Sequence, residues 1–372
     1  MSSPSWSGMR GIAVVPSYVI MQPTTLCNLD CEYCYLPFRS VERRMPVSVA
    51  EAVAASANPW AARARRFSVV WHGGEPTSVG RAHLARLMAP FRGVEHHIQT
   101  NATLIDDAWC EYFVEHGVRV GVSVDGPRSL AARRVVRGGQ QAYDRILRGV
   151  GALRRHGIPF AALCVVSDPR PGLAADLYEF FLELGCYALG INVEEREGVN
   201  LRETGFGGAA MQTFWAELTA AWRADPRIEL REVEWALRYA GAALAGTDDQ
   251  LLPRQFDPIP AIGEDGRVVL LSPELAGFVD SRYGDFSSGN VMEHPLHEIV
   301  ARAARHREGW IGEYLSGVEA CRASCPYFGF CGGAHASNRY FEHGRFDGTQ
   351  TNHCRNSKIR LLEGVLEYAR EH

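Results

Sequence analysis

The chain has 372 residues, a length that fits one large domain with an extension better than a single small module. Its 39 basic and 43 acidic residues give a net charge of −4, which argues against a dedicated nucleic-acid binder. It contains no apolar run of about 18 residues, so no membrane span is expected.

The cysteines indicate a reducing compartment. Seven of the ten fall in two tight clusters, which is typical of metal binding and not of a disulfide framework. The first twenty residues have only a short apolar stretch and no small-residue cleavage site, so we read no signal peptide there. We therefore expect a cytoplasmic protein.

Apolar runs alternate with helical patterns from residue 17 to about residue 200. The pattern predicts strands at Ser17–Gln22, Phe67–His72, His97–Thr100, Val118–Val124, Phe160–Val166 and Ala188–Val193. It predicts helices at Pro46–Ser56, Asp106–His116, Tyr143–His156 and Ala174–Leu184. This alternation is typical of a parallel α/β barrel or open sheet, whose active site lies at the carboxyl ends of the strands.

The pattern changes after residue 205. Helices are predicted at Met211–Trp222 and Val233–Leu244, followed by a hairpin at Ile262–Leu271 that turns at Gly266. Residues 321–354 are rich in glycine and histidine and are expected to be irregular. Asn356–Arg370 is predicted as a closing helix.

Three closely spaced thiols follow the first predicted strand. The segment CNLDCEYCYLP places Cys27, Cys31 and Cys34 in a C-x3-C-x2-C spacing, and we call these three residues the N-terminal trio. A structural zinc ion takes four closed ligands, whereas three cysteines on a [4Fe–4S] cluster leave one iron open to a ligand. Zinc completed from elsewhere, or three metal-free buried cysteines, are the alternatives.

With Tyr33 before its third cysteine, the N-terminal trio resembles the hallmark of the radical S-adenosylmethionine (SAM) enzymes. The resemblance implies a partial (β/α)6 TIM-like barrel and a [4Fe–4S] cluster whose open iron binds the amino and carboxylate groups of SAM. It also implies that electron delivery to this cluster cleaves SAM to a 5′-deoxyadenosyl radical, which abstracts hydrogen from a C–H bond.

Further motifs follow the later strands. The hydroxyl of Ser123 and the carboxylate of Asp125, at the end of the fourth strand, suit contacts with a ribose. Taken alone, the GGEP segment indicates a tight turn. The family resemblance implies that GGEP holds the SAM amino group and that a serine with a later arginine also contacts SAM. The expected cofactor-binding residues are Tyr33, Gly73, Gly74, Glu75, Pro76, Asn101, Ser123, Asp125, Arg134 and Asn192. Arg133 and Arg137 are rivals of Arg134, a solvated helix face is the plain alternative for these arginines, and a strand-end cap is the alternative for Asn192.

The second cluster supplies four thiols, Cys321, Cys325, Cys331 and Cys354, which we call the C-terminal quartet. Zinc and [4Fe–4S] both satisfy that count. The region resembles a reduced SPASM domain, and because the hairpin near Gly266 has no cysteines, the resemblance implies one auxiliary [4Fe–4S] cluster. His335, His343 and His353 are expected to be ordinary loop histidines or, less favoured, substitute ligands.

The division that follows is 1–16 as a leader, 17–205 as the barrel, 206–260 as a helical bridge and 261–372 as the SPASM-like or twitch-like auxiliary domain. Cys110, Cys164 and Cys186 have apolar neighbours and are expected to be buried and inert. Glu194, Glu195 and Glu197 crowd past the sixth strand and read as a solvated acidic loop, with a role as bases or substrate contacts as the alternative.

The combined motifs resemble the SPASM enzymes that mature ribosomally made peptides, closest to those that form cyclophanes by joining an aromatic ring carbon to a β-carbon. The implied partners are a precursor peptide and an electron donor such as flavodoxin or ferredoxin. Epimerisation, decarboxylation and side-chain oxidation of a peptide or small molecule are alternatives, and a non-catalytic zinc-binding module is a further one. The catalytic residue is not named by the sequence.

Overall fold

The structure is a computed structural model, which describes residues 11–63, 67–203, 206–251, 255–306 and 309–371. The predicted leader over residues 1–16 therefore lies mostly outside the described residues. Within the described ranges, no helix is both long enough and apolar enough to span a bilayer.

All six predicted strands are present. They are β1 (Tyr18–Met21), β2 (Ser68–Trp71), β3 (Glu95–Thr100), β4 (Arg119–Ser123), β5 (Phe160–Val166) and β6 (Ala188–Val193). Each pairs in parallel with the next in chain order. Side chains alternate between buried and half-buried positions along β1, β2 and β5 because successive residues of a strand point to opposite faces. The predicted parallel α/β architecture is confirmed.

Helices cross between these strands, as parallel pairing requires. They are α1 (Val47–Arg63), α2 (Arg81–Met88), α3 (Asp107–Glu115), α4 (Tyr143–Arg155) and α5 (Leu173–Leu184). Asp106 caps α3 by accepting a bond from the Trp109 N–H at 2.8 Å. Since every strand runs the same way, the loops after β1 to β6 all emerge at one edge of the sheet.

After β6 the chain forms two helices, α6 (Gly208–Ala224) and α7 (Arg231–Leu244), and four short strands extend the sheet, the first of them between these helices. These strands are β7 (Glu229–Leu230), β8 (Ala261–Ile262), β9 (Arg267–Val269) and β10 (Gly289–Asn290). The sheet has ten strands in the order β10-β9-β8-β1-β2-β3-β4-β5-β6-β7. The predicted hairpin is confirmed as antiparallel β8 and β9, and β8 pairs with β1.

The expectation that residues 321–354 are irregular is wrong. The C-terminal part forms α8 (Leu296–His306), α9 (Gly309–Ser324), α10 (Phe328–Cys331), α11 (Ala336–His343), a π-helix (Cys354–Ile359) and α12 (Arg360–Glu371). Helix α9 buries one face, whose residues include Trp310, Tyr314, Val318 and Cys321 at a spacing of three or four positions. The closing helix is confirmed, and α12 packs against α6.

Candidate active site

The N-terminal trio lies in the loop after β1, at the carboxyl edge of the sheet. Cys31 is buried, and Cys27 and Cys34 are partly buried beside it. Burial first, and then the nearby Glu75 carboxylate, raises the pKa of Cys27 to about 12, and the other two thiols contribute in the same direction. Burial raises the pKa of Cys31 to about 11. Three thiols held together in this way become thiolates only beside a strong positive charge, which iron ions supply.

The loop that carries the trio is fastened to residues 133–137. The Arg137 guanidinium donates to the backbone carbonyls of Cys27 at 3.0 Å and Arg39 at 2.5 Å. The backbone N–H of Asp30 donates to the carbonyl of Val135 at 2.7 Å. Arg137, expected as a rival for cofactor contact, therefore anchors the cysteine loop.

The GGEP segment packs directly on the cysteine loop. Gly74 has a φ of +60°, and a Cβ at this position would lie 2.5 Å from the carbonyl oxygen of Leu26. No other residue fits this backbone without moving the loop. Pro76 begins a short 3₁₀ helix, Pro76–Val79, so it shapes the turn.

Glu75 is held by four hydrogen bonds from the protein. Its Oε1 accepts from the Thr77 N–H at 3.1 Å, the Thr77 hydroxyl at 2.6 Å and the Thr100 hydroxyl at 2.6 Å. Its Oε2 accepts only from the Asn101 N–H at 2.8 Å. Burial raises the pKa of this carboxyl, and the four bonds oppose that shift. Oε2 is the atom with capacity left for an ammonium donor.

Asp125 organises two of the other expected residues. Its carboxylate accepts from the Tyr33 hydroxyl at 2.5 Å, from Arg134 Nη2 at 2.9 Å and from the Val165 N–H at 3.0 Å. The Arg134 guanidinium also lies 5.5 Å from the centre of the Tyr33 ring. Asp125 is not among the residues that line the cavity beside the trio, whereas its partners Tyr33 and Arg134 both line it.

Arg134 and Arg133 point to different partners. Arg134 is 6% exposed and lines the cavity beside the trio, and its Nε has no hydrogen-bond partner. Arg133 instead forms an ion pair with the buried Glu194 carboxylate. An unpartnered buried N–H beside three thiols fits an anionic group such as a carboxylate of a bound ligand.

One cavity of about 330 Å³ collects most of the expected residues, a volume suited to a small-molecule site. The N-terminal trio lines it together with Tyr33, Gly74, Glu75, Asn101, Ser123, Arg134 and Asn192. Ser123 accepts from Gln99 at 2.8 Å, and Asn192 accepts from Arg231 at 3.3 Å. Gly73 lines a neighbouring cavity of about 220 Å³ that shares Tyr35, Leu36 and His72 with the first.

The C-terminal quartet is assembled from three helices and a loop. Cys321 lies near the end of α9, Cys331 ends α10, and Cys354 begins the π-helix. Burial raises the pKa of Cys354 to about 12, and the other three thiols act in the same direction, so the four sulfurs are neighbours. The buried Arg339 donates to the Cys321 sulfur at 3.4 Å.

Lys358 and three histidines lie in the same part of the chain as the quartet. The Lys358 ammonium lies 4.2 Å from the centre of the Trp235 ring, and burial lowers its pKa. His335 and His353 face the cavity of the trio, and His343 contacts the Gln350 carbonyl at 2.8 Å. Among the described residues, no three His, Cys, Asp or Glu side chains are arranged to hold one metal ion. Cysteines on an iron–sulfur cluster bind separate irons and so lie further apart than the ligands of one ion.

The expectation of a solvated acidic loop after β6 is wrong. Glu194 is 4% exposed and pairs with Arg133, while Glu195 and Glu197 line the cavity of the trio. Glu274, which no motif indicated, lies beside them. The crowding of three glutamates at a strand end was the one signal in the sequence. Cys110, Cys164 and Cys186 are buried, as expected.

The chain is similar in sequence to known proteins. The profile of the radical SAM superfamily matches residues 21–194. An uncharacterized protein of Synechocystis sp., sll1766, is 32% identical over 368 residues, which cover 94% of this chain and 90% of that protein. The serine-type anaerobic sulfatase-maturating enzyme of Klebsiella aerogenes is 32% identical over 204 residues, which cover 51% of this chain and 49% of that enzyme.

A solved structure shares the fold. Native anSMEcpe with bound AdoMet and Cp18Cys peptide superposes with a TM-score of 0.72 at 19% sequence identity. The superposition covers 95% of this chain and 96% of that one. At this identity the likeness shows the fold and not the substrate.

Proposed function

The chain belongs to the radical SAM superfamily, and from that premise we propose that it is a maturase that oxidatively modifies a ribosomally made precursor peptide. The observation that carries the proposal is the meeting of the N-terminal trio, Glu75 and Arg134 in one cavity of about 330 Å³. The enzyme is a radical SAM oxidoreductase, and the peptide is the proposed part of this assignment.

In this proposal the N-terminal trio holds a [4Fe–4S] cluster and leaves one iron for SAM. Cluster and SAM together supply a 5′-deoxyadenosyl radical when bound. Arg134 holds the SAM carboxylate through its free Nε–H, and Glu75 Oε2 receives the SAM ammonium. Ser123 and Asn192 contact the ribose from the ends of β4 and β6. Tyr33 and Asp125 fix the direction of the Arg134 guanidinium.

The C-terminal quartet holds an auxiliary [4Fe–4S] cluster in a SPASM-like domain over residues 261–372. Four neighbouring thiols and the nearby Arg339 and Lys358 cations support this, because cations stabilise a cluster with thiolate ligands. A cluster held by these four cysteines would supply an electron acceptor, which favours net oxidation over a hydrogen shift. A flavodoxin or ferredoxin is the proposed electron donor, and the free thiols fit a cytoplasmic location.

We propose a C–C crosslink of the cyclophane type as the modification. A peptide substrate is supported by the names of two similar proteins, one a sulfatase-maturating enzyme and the other a structure with a bound peptide. Epimerisation, decarboxylation or side-chain oxidation would use the same cavity, and the mass of the product distinguishes these reactions.

The test is an anaerobic assay of the reconstituted enzyme with SAM, dithionite and the peptide encoded beside its gene. We expect 5′-deoxyadenosine and a product two hydrogens lighter, with the loss mapped to one aromatic residue. Cys110→Ala, which changes a buried cysteine away from the cavity, is the matched control for alanine variants of the trio. An unchanged mass with deuterium uptake would indicate epimerisation. Zinc without iron in the purified chain would refute the enzyme assignment.

A further inference from the structure

A second group of side chains lines the cavity of the trio. Glu195 and Glu197 follow β6, Glu274 lies in the short turn Pro273–Leu275, and Asn338 belongs to α11. We call these four residues the acidic wall. The barrel supplies two of its members and the C-terminal part supplies the other two, so the wall exists only in the folded chain.

Two carboxyls of the acidic wall, those of Glu197 and Glu274, accept fewer and longer hydrogen bonds than the third, that of Glu195. Glu195 accepts from His353 Nδ1 at 2.7 Å and from the Asn338 amide. Glu197 accepts a long bond of 3.4 Å from that same amide, and Glu274 accepts one of 3.4 Å from the Ser337 hydroxyl. Among the described residues, no lysine, arginine or histidine forms an ion pair with Glu197 or Glu274.

Glu197 and Glu274 therefore lie close to each other, and neither has an ion-pair partner among the described residues. Burial, followed by the charge of Glu274, raises the pKa of Glu197 well above its ordinary value. Burial also raises the pKa of Glu274 to about 6. Carboxyls in this state gain when a positive group enters beside them, because the ionised form is then compensated.

Asn338 gives an independent indication of a ligand. The residue is 3% exposed, and its amide nitrogen donates to two glutamates of the wall, Glu195 and Glu197. Its Oδ1 has no donor among the described residues, although Asn338 lines the cavity. Buried carbonyl oxygens are rarely left without a donor. Toward the cavity the wall thus offers acceptors that lack partners.

Acceptors without donors call for a ligand with several N–H groups and a positive charge. A single metal ion does not fit, because no three such side chains among the described residues are close enough to share one. A protonated amine presents three donors and a guanidinium presents five, and both reach groups that are further apart.

We propose that the acidic wall is the subsite for a basic side chain, lysine or arginine, of the peptide that the enzyme modifies. The proposal rests on the proposed function, since it names a feature of that substrate. The ammonium of SAM is the competing cation. The loops after β1 to β4 supply most of the residues expected to hold SAM, whereas the wall comes from the end of β6 and the C-terminal part, which favours the peptide.

The test compares probes that differ only in charge. Nα-acetyl-arginine amide and Nα-acetyl-citrulline amide are titrated by calorimetry into the reconstituted, SAM-loaded enzyme, and the lysine and norleucine analogues are titrated alongside. We expect at least one basic probe to bind about tenfold more tightly than its neutral partner. Equal binding within both pairs in the wild-type enzyme overturns the inference without any variant.

The variant arm assigns the preference to the wall. The Glu197→Gln/Glu274→Gln double variant is expected to lose the preference, and Glu293→Gln, at an exposed glutamate, is expected to keep it. SAM affinity should be unchanged in the double variant, and a collapse of SAM binding there would assign the wall to the cofactor and overturn the inference. A wild-type enzyme that forms no 5′-deoxyadenosine would refute the proposed function, whereas equal probe binding refutes only the subsite.

Discussion

Replacing Asp125 by asparagine tests how the cavity holds its arginine. Asp125 is 4% exposed and Arg134 is 6% exposed, and their ion pair has an N–O distance of 2.9 Å. The Asp125→Asn change would keep the size of the side chain and remove its charge, so the Arg134 guanidinium would be left buried and uncompensated. Removing one partner of a buried ion pair lowers the free energy of unfolding by about 3–5 kcal/mol. Because asparagine has the same size as aspartate, we expect a loss of about 3 kcal/mol for Asp125→Asn.

The double variant makes the reasoning quantitative. Arg134→Gln alone would leave the Asp125 carboxylate buried without its partner, and it should also lower the free energy of unfolding by about 3 kcal/mol. With both changes no buried charge remains, so we expect a loss of about 3–4 kcal/mol instead of the additive value of about 6 kcal/mol. Urea unfolding of the cluster-free chain, followed by tryptophan fluorescence, measures these free energies.

Activity separates positioning from stability. Both single variants should lose SAM cleavage in the reconstituted enzyme, Asp125→Asn because Arg134 is no longer aimed and Arg134→Gln because the SAM carboxylate has lost its partner. The double variant should recover stability relative to the additive value and stay inactive. Additive losses of free energy, or an Asp125→Asn variant within about 1 kcal/mol of wild type, would refute the buried-pair argument.

Three further outcomes are expected. Alanine at all three positions of the N-terminal trio should lower the iron content from about eight to about four atoms per chain and abolish the formation of 5′-deoxyadenosine. Alanine at all four positions of the C-terminal quartet should lower the iron content by the same amount, but 5′-deoxyadenosine should still form. Gly74→Ala should impair assembly of the first cluster, measured by its visible absorbance, because its Cβ would lie 2.5 Å from the Leu26 carbonyl oxygen. The pKa of Glu274 is about 6 in the fold against an ordinary 4.5, so its contribution to stability is complete below pH 4.5 and is lost as pH rises through 6. Glu274→Gln should therefore gain up to about 2 kcal/mol over wild type above pH 6 in urea unfolding, and no gain there would contradict the shift.

The pH dependence of stability that Glu274 contributes also depends on the ionisable groups around it. Glu195, Glu197 and His353 act on Glu274 electrostatically. Glu274 in turn contributes to the raised pKa values of Tyr18 and Tyr35. Because Glu197 is also uncharged at low pH, the gain in Glu274→Gln is measured against wild type at each pH and not read from one curve alone.

The sequence predicted the sheet because its signals were local. The runs VRVGVSV and FAALCVV are short, contain residues that favour β-strands and lie between turn residues. Both form strands at the predicted places. Helix α2 was not predicted, because it has only eight residues and follows the 3₁₀ helix Pro76–Val79. Helix α9 was not predicted although its buried residues recur at helical spacing, because small residues such as Gly317 on its buried face weaken the contrast in polarity. Local periodicity reports only faces that differ in polarity.

The site was predicted where motifs lie on single loops. One cavity is lined by the trio, Gly74, Glu75 and Arg134, as the strand-end argument predicts. The roles of Asp125 and the acidic wall could not be predicted in the same way. They depend on which side chains from distant segments meet, such as Asn338 with Glu195 across 143 positions.

The acidic wall is linked to the C-terminal quartet through His353. His353 donates to or accepts from Glu195 at 2.7 Å, and the next residue, Cys354, is the last thiol of the quartet. A π-helix begins there, and its wider turn sets the direction in which Cys354, Ser357 and Lys358 point. Metal binding at the quartet would fix Cys354 and thereby the neighbouring histidine. If the quartet holds the proposed auxiliary cluster, it would then also help to position the side of the cavity that carries the acidic wall.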